Sequence, residues 1–184
     1  MASAISHAVA ALGLGTIFAR LNVPKRVWVI GTICSVLPDT DVIGFRFGIR
    51  YGDFWGHRGF THSIAFAAIL ATAALVLGLF RELPVSSHLG IWTYFFLATT
   101  SHGLLDAMTN GGLGVALFLP FDNARYFLPW RPIVVSPISV LRFFSERGLA
   151  VLQSELLWIW IPAGLLAILM LVSRNLPKRS EESK

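Results

Sequence analysis

Charge is the scarcest thing in this chain. Asp, Glu, Lys and Arg together make up 14% of its 184 residues, where a soluble domain of this size carries about 25%. Hydrophobic residues reach 55% and the mean hydropathy is +0.67. A soluble fold could not hide that much apolar surface, whereas a bilayer can. Cysteine is almost missing as well. Cys34 stands alone, which excludes an internal disulfide and any thiolate metal cluster and leaves the redox compartment open. The start, Met-Ala-Ser-Ala-Ile-Ser-His, lacks the basic segment of a cleaved signal peptide, so the first apolar stretch is expected to stay in the mature protein. Internal repeats and low-complexity tracts are absent too, and the length suits one domain.

The basic residues that are present give a pI near 10.0 and a net charge of +5. They sit in short loops between apolar runs and form no continuous stripe, so topology and lipid headgroups account for them and nucleic acid is not an expected partner.

A spanning helix needs about 20 mostly apolar residues. The candidates are Ala4 to Ala19, Val27 to Ile43, Ser63 to Phe80, Ile91 to Ala107 and Glu155 to Ser173. Gly111 to Phe121 is too short to cross and reads as a re-entrant or interfacial piece. The expected fold is all-α: a polytopic membrane bundle of about five transmembrane helices. Residues 1–174 would form one membrane-embedded domain and residues 175–184 a polar cytoplasmic tail.

Helices of alternating direction sort the ionisable residues. If the turn holding Arg20, Lys25 and Arg26 lies on one face, then His7, Asp39, Asp41, His57, His62, His102, Asp106 and Glu155 all reach the opposite one. Arg81, Glu82, Arg174, Lys178, Arg179 and Lys184 return to the first face, and His88 is the loop exception. Intramembrane ionisable groups are costly and mark function by default. Eight of the fifteen basic residues crowd the short loops of the first face, which makes it cytoplasmic by the positive-inside tendency and turns the polar cluster outward. The seven on the cluster's face are all arginine, whose planar fork suits carboxylate or phosphate.

Three stretches carry the chemistry. Leu37-Pro38-Asp39-Thr40-Asp41 puts two carboxylates where the second span ends, and Pro38 with Gly44 favours a bent, non-helical exit that would let both turn inward. A solvated helix end is the plainer alternative. His57-Arg58-Gly59-Phe60-Thr61-His62-Ser63 places one imidazole on a loop and one in a first helical turn, where Thr61 or Ser63 could cap the helix and orient a ring. Ser101-His102-Gly103-Leu104-Leu105-Asp106 is an i, i+4 pair on one helical face. His7 gains interest only from these partners. Glu155 reads equally as a ligand, a general base or a helix N-terminal cap.

Together His7, Asp39, Asp41, His57, His62, His102 and Asp106 supply enough nitrogen and oxygen donors for one or two divalent ions. The sulfur-free set suits zinc or manganese, and a metal so held activates water for hydrolysis. Asp41 or Glu155 could serve as general base, and Arg58, with Arg125 behind it, could hold an anionic group.

These strings, with Thr109-Asn110-Gly111-Gly112 after the last of them, resemble the YdjM-like family of bacterial inner-membrane proteins, over roughly residues 1 to 130. That family is described as membrane-bound metal-dependent hydrolases, some under DNA-damage (LexA) control. The resemblance implies a helical inner-membrane protein that binds metal and hydrolyses its substrate, with Asp39, Asp41, His57, His62, His102 and Asp106 as site residues. The His102 to Asp106 pair also resembles pairs in zinc-dependent phospholipase C, which points to a lipid or lipid-linked phosphoester as substrate. A membrane metallopeptidase lacks its His-Glu-x-x-His here. A metal transporter or metal-binding membrane protein is the alternative of another class. It predicts mid-membrane ligands with access to both faces.

Overall fold

The structure, a computed structural model, describes residues 1–19, 23–77, 80 and 82–175. Arg20, Arg81, Lys178, Arg179, Lys184 and the tail beyond residue 175 lie outside the described residues. Among the described residues the chain is all-helical, with two isolated β-bridges and no strand.

Helix α1 (Ala4–Phe18) is opened by Ser3, whose side chain accepts the Ser6 amide. Helix α2 (Lys25–Val36) ends where Pro38 removes an N–H and its ring excludes the carbonyl four residues back. The chain does not become irregular there, as the Pro38–Gly44 pattern had suggested. It tightens into a 3-10 helix over Leu37–Phe47, closed by Gly48 in the left-handed region. A second 3-10 turn (Phe60–His62) leads into α3 (Ile64–Val76), whose N-cap is Ser63, accepting the Phe66 amide. Helix α4 (Val85–Ala107) is the centre of the bundle and packs on α1, α2 and α3.

The last helical run begins earlier than expected. Helices α5 (Val140–Phe143) and α6 (Glu146–Glu155) precede a π turn at Leu156–Trp160, which continues into α7 (Ile161–Asn175). Glu155 therefore ends α6 in mid-run and does not open a helix. The segment Gly111 to Phe121 is not helical; its Val115, Ala116, Leu117 and Leu119 are buried and it pairs by single bridges and turns.

Two runs are long and apolar enough to cross a bilayer unaided: Lys25–Phe47, with 23 residues and mean hydropathy 1.3, and Glu146–Asn175, with 30 and 2.3. Helices α1 and α3 are shorter apolar helices of 15 and 13 residues, or about 20 Å each against a hydrocarbon core of about 30 Å. The five expected spans thus reduce to two by length and hydropathy. Length limits α1 and α3, whereas α4 has the length but its Ser, Thr, His and Asp lower its hydropathy.

Close packing depends on glycine at two crossings. A Cβ on Gly31 would run into the Tyr94 ring, so α2 and α4 meet backbone to aromatic. A Cβ on Gly103 would sit 2.6 Å from the His62 carbonyl oxygen. Its absence lets α4 lie directly against the turn that carries His62. At the far end Arg26 is ion-paired with Glu82, which places the start of α2 and the turn before α4 together, opposite the histidines.

Candidate metal centre

Four elements deliver the polar side chains to one end of the bundle. Asp39 and Asp41 come from the first 3-10 helix, His57 from the following loop, His62 from the second 3-10 turn, and His102 and Asp106 from α4. Asp39, His57, Arg58, His62, His102 and Asp106 are all buried.

His62 Nε2 and His102 Nε2 face each other at 3.0 Å. His102 Nδ1 donates to the Ser35 carbonyl at 2.7 Å, and a carbonyl can only accept, so in the neutral ring the lone pair lies on Nε2. His62 Nδ1 lies 3.2 Å from Asp41 Oδ2 and 3.1 Å from Thr61 Oγ1, which leaves its own Nε2 directed at His102. Two bare nitrogens at that distance repel, so a cation, either a proton or a metal ion, belongs between them. Asp39 Oδ1 stands 3.4 Å from His102 Nε2 and 3.7 Å from His62 Nε2, and Asp106 Oδ2 stands 3.7 Å from His62 Nε2.

A tetrahedral ion with ligands at about 2.05 Å holds them about 3.3 Å apart. The separations here, 3.0 to 3.7 Å, bracket that edge. A second observation agrees. Both carboxylate oxygens of Asp39 are buried with no hydrogen-bond partner among the described residues. A desolvated, unpartnered carboxylate is expensive, and a divalent cation among Asp39, His62, His102 and Asp106 would satisfy it. The donor set and its spacing fit a metal ion.

Asp41, His57 and His62 form a second close group. Asp41 Oδ1 receives His57 Nδ1 at 2.7 Å, and Oδ2 receives the Thr61 hydroxyl at 2.8 Å. Burial pushes the His57 imidazole below its ordinary pKa against the pull of Asp41. Burial opposes the charge on His62 as well, but there the carboxylates of Asp39 and Asp41 prevail and raise it to about 9.

The YdjM inner membrane protein family matches residues 1–177 of this sequence, which is nearly the whole chain. The chain belongs to that family. It is similar to the inner membrane protein YbcI of Escherichia coli (strain K12), 37% identical over 166 residues that cover 90% of this chain and 95% of that protein. No solved structure matches. This YdjM-family chain is accordingly an inner membrane protein, and the His/Asp cluster lies within the matched region.

Four of the residues singled out in the sequence, His7, Arg58, Arg125 and Glu155, lie outside the two close groups of this YdjM-family fold. His7 joins neither close group. Its ring stacks on His102, centroids 3.6 Å apart at 16°, with Nε2 3.5 Å from Asp106 Oδ1. Arg58 is fully buried, in the left-handed region at φ 63. Its guanidinium donates to Asp106 Oδ2 at 3.0 Å, Gly111 O at 2.8 Å and Thr109 Oγ1 at 2.9 Å. It neutralises and aims a site carboxylate and does not reach outward for phosphate. Arg125 is likewise turned inward, donating to the carbonyls of Tyr51, His57 and Arg58 and so stapling the loop that carries His57. Glu155 lies on the far side of the chain start. It accepts the Ser3 amide at 2.5 Å, the Ser3 hydroxyl at 2.6 Å and the Ser6 hydroxyl at 2.7 Å. It serves the N-terminus of α1, not of its own helix. His88 bonds the Phe80 carbonyl, away from the cluster.

Sequence reasoning missed two contributors, the Ser35 carbonyl that sets the His102 tautomer and the Ala2 amide that donates to Asp106 Oδ1 at 2.6 Å. Both are backbone groups, so no side-chain pattern announces them.

Proposed function

We propose that this chain is a membrane-bound, metal-dependent hydrolase acting on a phosphoester in a lipid or lipid-linked substrate. The observation that carries the reading is the convergence of His62 Nε2, His102 Nε2, Asp39 and Asp106 at ion-ligand spacing with the Asp39 oxygens unpartnered. In this reading Asp39, His62, His102 and Asp106 hold the ion, zinc or manganese by donor type. A metal there supplies Lewis acidity and activates water.

The remaining residues prepare the site for hydrolysis. Arg58 and the Ala2 amide hold the two oxygens of Asp106 in place. Ser35 fixes the ring of His102, the outer partner that a ligating histidine needs. Asp41 binds His57 Nδ1, which leaves His57 Nε2 as the base that takes a proton from attacking water. Asp41 thus acts through His57 and not as the base itself. Helices α1, α3 and α4 complete a five-span bundle around the two longer spans, with the cluster on the outer side, where lipid headgroups are at hand.

The test is purified full-length protein with a panel of phospholipids and polyprenyl phosphates, with and without chelator. Metal-dependent phosphate or phosphoalcohol release, abolished in His102→Ala, is the expected result. A protein that carries stoichiometric metal and hydrolyses none of them would overturn the reading in favour of a metal-binding membrane protein.

A further inference from the structure

Two cavities open beside the centre and share the walls formed by Pro137 and Ile138. The inner one, about 310 Å³, is lined chiefly by Ala4, Ile5, Pro137, Ile138, Phe143 and Phe144. Met1 and Ser3 also line it; they are the neighbours of Ala2, whose amide donates to Asp106. The outer one, about 430 Å³, is lined by Ser139, Arg142 and Arg147 besides the shared pair. Each volume lies within the roughly 300–1,000 Å³ that bound small molecules occupy.

The chemistry changes along this path. The inner part offers aliphatic and aromatic carbon and no ionised side chain. At the outer part both arginines are exposed, and among the described residues neither is ion-paired. Glu146, the acid between them in sequence, does not line the cavity. Leu141 and Phe144 beside them are 85% and 82% exposed, the pattern of a segment that lies in a membrane interface with apolar groups down and arginines at the headgroup level.

We propose that these two adjoining cavities bind a single acyl chain of a phosphate-bearing lipid, with the chain along Ile5, Ile138 and Phe143 and the phosphate on Arg142 and Arg147. The proposal goes beyond the reaction above: with the acyl chain against Met1 and Ser3 and the phosphate on the rim, this lipid lies beside the metal centre and is not the molecule proposed to be cleaved there. Arg58 and Arg125 are bound internally, whereas Arg142 and Arg147 on the cleft rim are exposed. Phosphate there is charge-complementary, and two guanidinium forks bind it better than two ammonium groups would.

The experiment counts lipids retained by the full-length protein in native mass spectrometry, with chelator present so that no turnover is needed. The probes are lysophosphatidic acid, monoolein (the same chain without phosphate) and glycerol 3-phosphate (the phosphate without the chain). Lysophosphatidic acid is expected to bind about tenfold more tightly than either of the others. Arg142→Gln with Arg147→Gln should bring it down to the level of monoolein while monoolein is unchanged. Ile138→Trp, which fills the inner part, should lower both. Equal binding of lysophosphatidic acid by the wild type and the double arginine variant would overturn the proposal, as would glycerol 3-phosphate binding as well as the lipid.

Discussion

Glu155 and Ser3 are 152 residues apart in sequence, yet the carboxylate of one accepts both the amide and the hydroxyl of the other, at 2.5 and 2.6 Å. Ser6 adds its hydroxyl to the same carboxylate and takes the Trp160 indole N–H in turn. This buried network pins the start of α1, and the adjoining Ala2 amide is thereby held on Asp106. Glu155→Ala should lose about 1–3 kcal/mol of stability, the usual cost of stranding buried donors. Glu155→Gln should lose less. Thermal unfolding in detergent reads both. Because Glu155 lies in neither close group of His and Asp side chains, the Gln variant should still bind metal as the wild type does; loss of metal at full stability would place Glu155 in the coordination set.

Asp39 makes a prediction that depends on metal. Its oxygens lack hydrogen-bond partners but face the imidazoles of His62 and His102, so Asp39→Asn should change the melting temperature of the chelated protein little. With metal the two proteins should part. A ligand present at about a hundred times its Kd stabilises the wild type by about 2.7 kcal/mol, and the variant should lose most of that gain. Melting curves with and without chelator check it. An Asn variant that gains as much from metal as the wild type would remove Asp39 from the site.

Arg58 and Asp106 form a fully buried pair at 3.0 Å. Removing one partner of such a pair costs about 3–5 kcal/mol because the other charge is stranded. Arg58→Met should therefore unfold more easily by about that amount, and adding Asp106→Leu should recover a good part of it, although the double variant cannot hold metal. Additive losses in the double-mutant cycle would show that the two side chains do not act as a pair.

Metal uptake should depend on pH with a defined sign. His62, raised to about 9 by its carboxylate neighbours, holds a proton at neutral pH that the ion must displace. Affinity should rise with pH up to that value and weaken about tenfold for each unit below it, with one proton released per ion bound. Calorimetry in buffers of different ionisation heat measures the proton count. Binding without proton release would mean that His62 is not a ligand.

Much of the site was readable because the motifs are local. His102 and Asp106 share a helical face by spacing alone, and the histidines and aspartates of the other two strings fall at helix ends that the fold gathers at one end of the bundle. Ser63 was legible as a cap for the same reason. Arg58 was not, since an arginine between a histidine and a glycine looks the same whether it faces lipid phosphate or a buried carboxylate. Nor was the 3-10 helix: Pro38 announces an interruption of α2 but not the tighter coil that follows.

Composition and hydropathy on their own determined that the chain is helical and at home in a membrane, and the order of polar residues along the spans determined which end holds the chemistry. Only the tertiary structure decided which partners each of these side chains has. It placed Asp39 unpartnered between two imidazoles, laid His7 flat against His102 and turned Arg58 inward. It also sent Glu155 to the start of α1. The physical reason is that span direction is set by each segment's own solubility, whereas the choice between an ion and a neighbouring side chain turns on distances of a few tenths of an ångström. Those distances come from how close α4 can approach the turns around it, which glycine at position 103 and the backbone of Ser35 decide together.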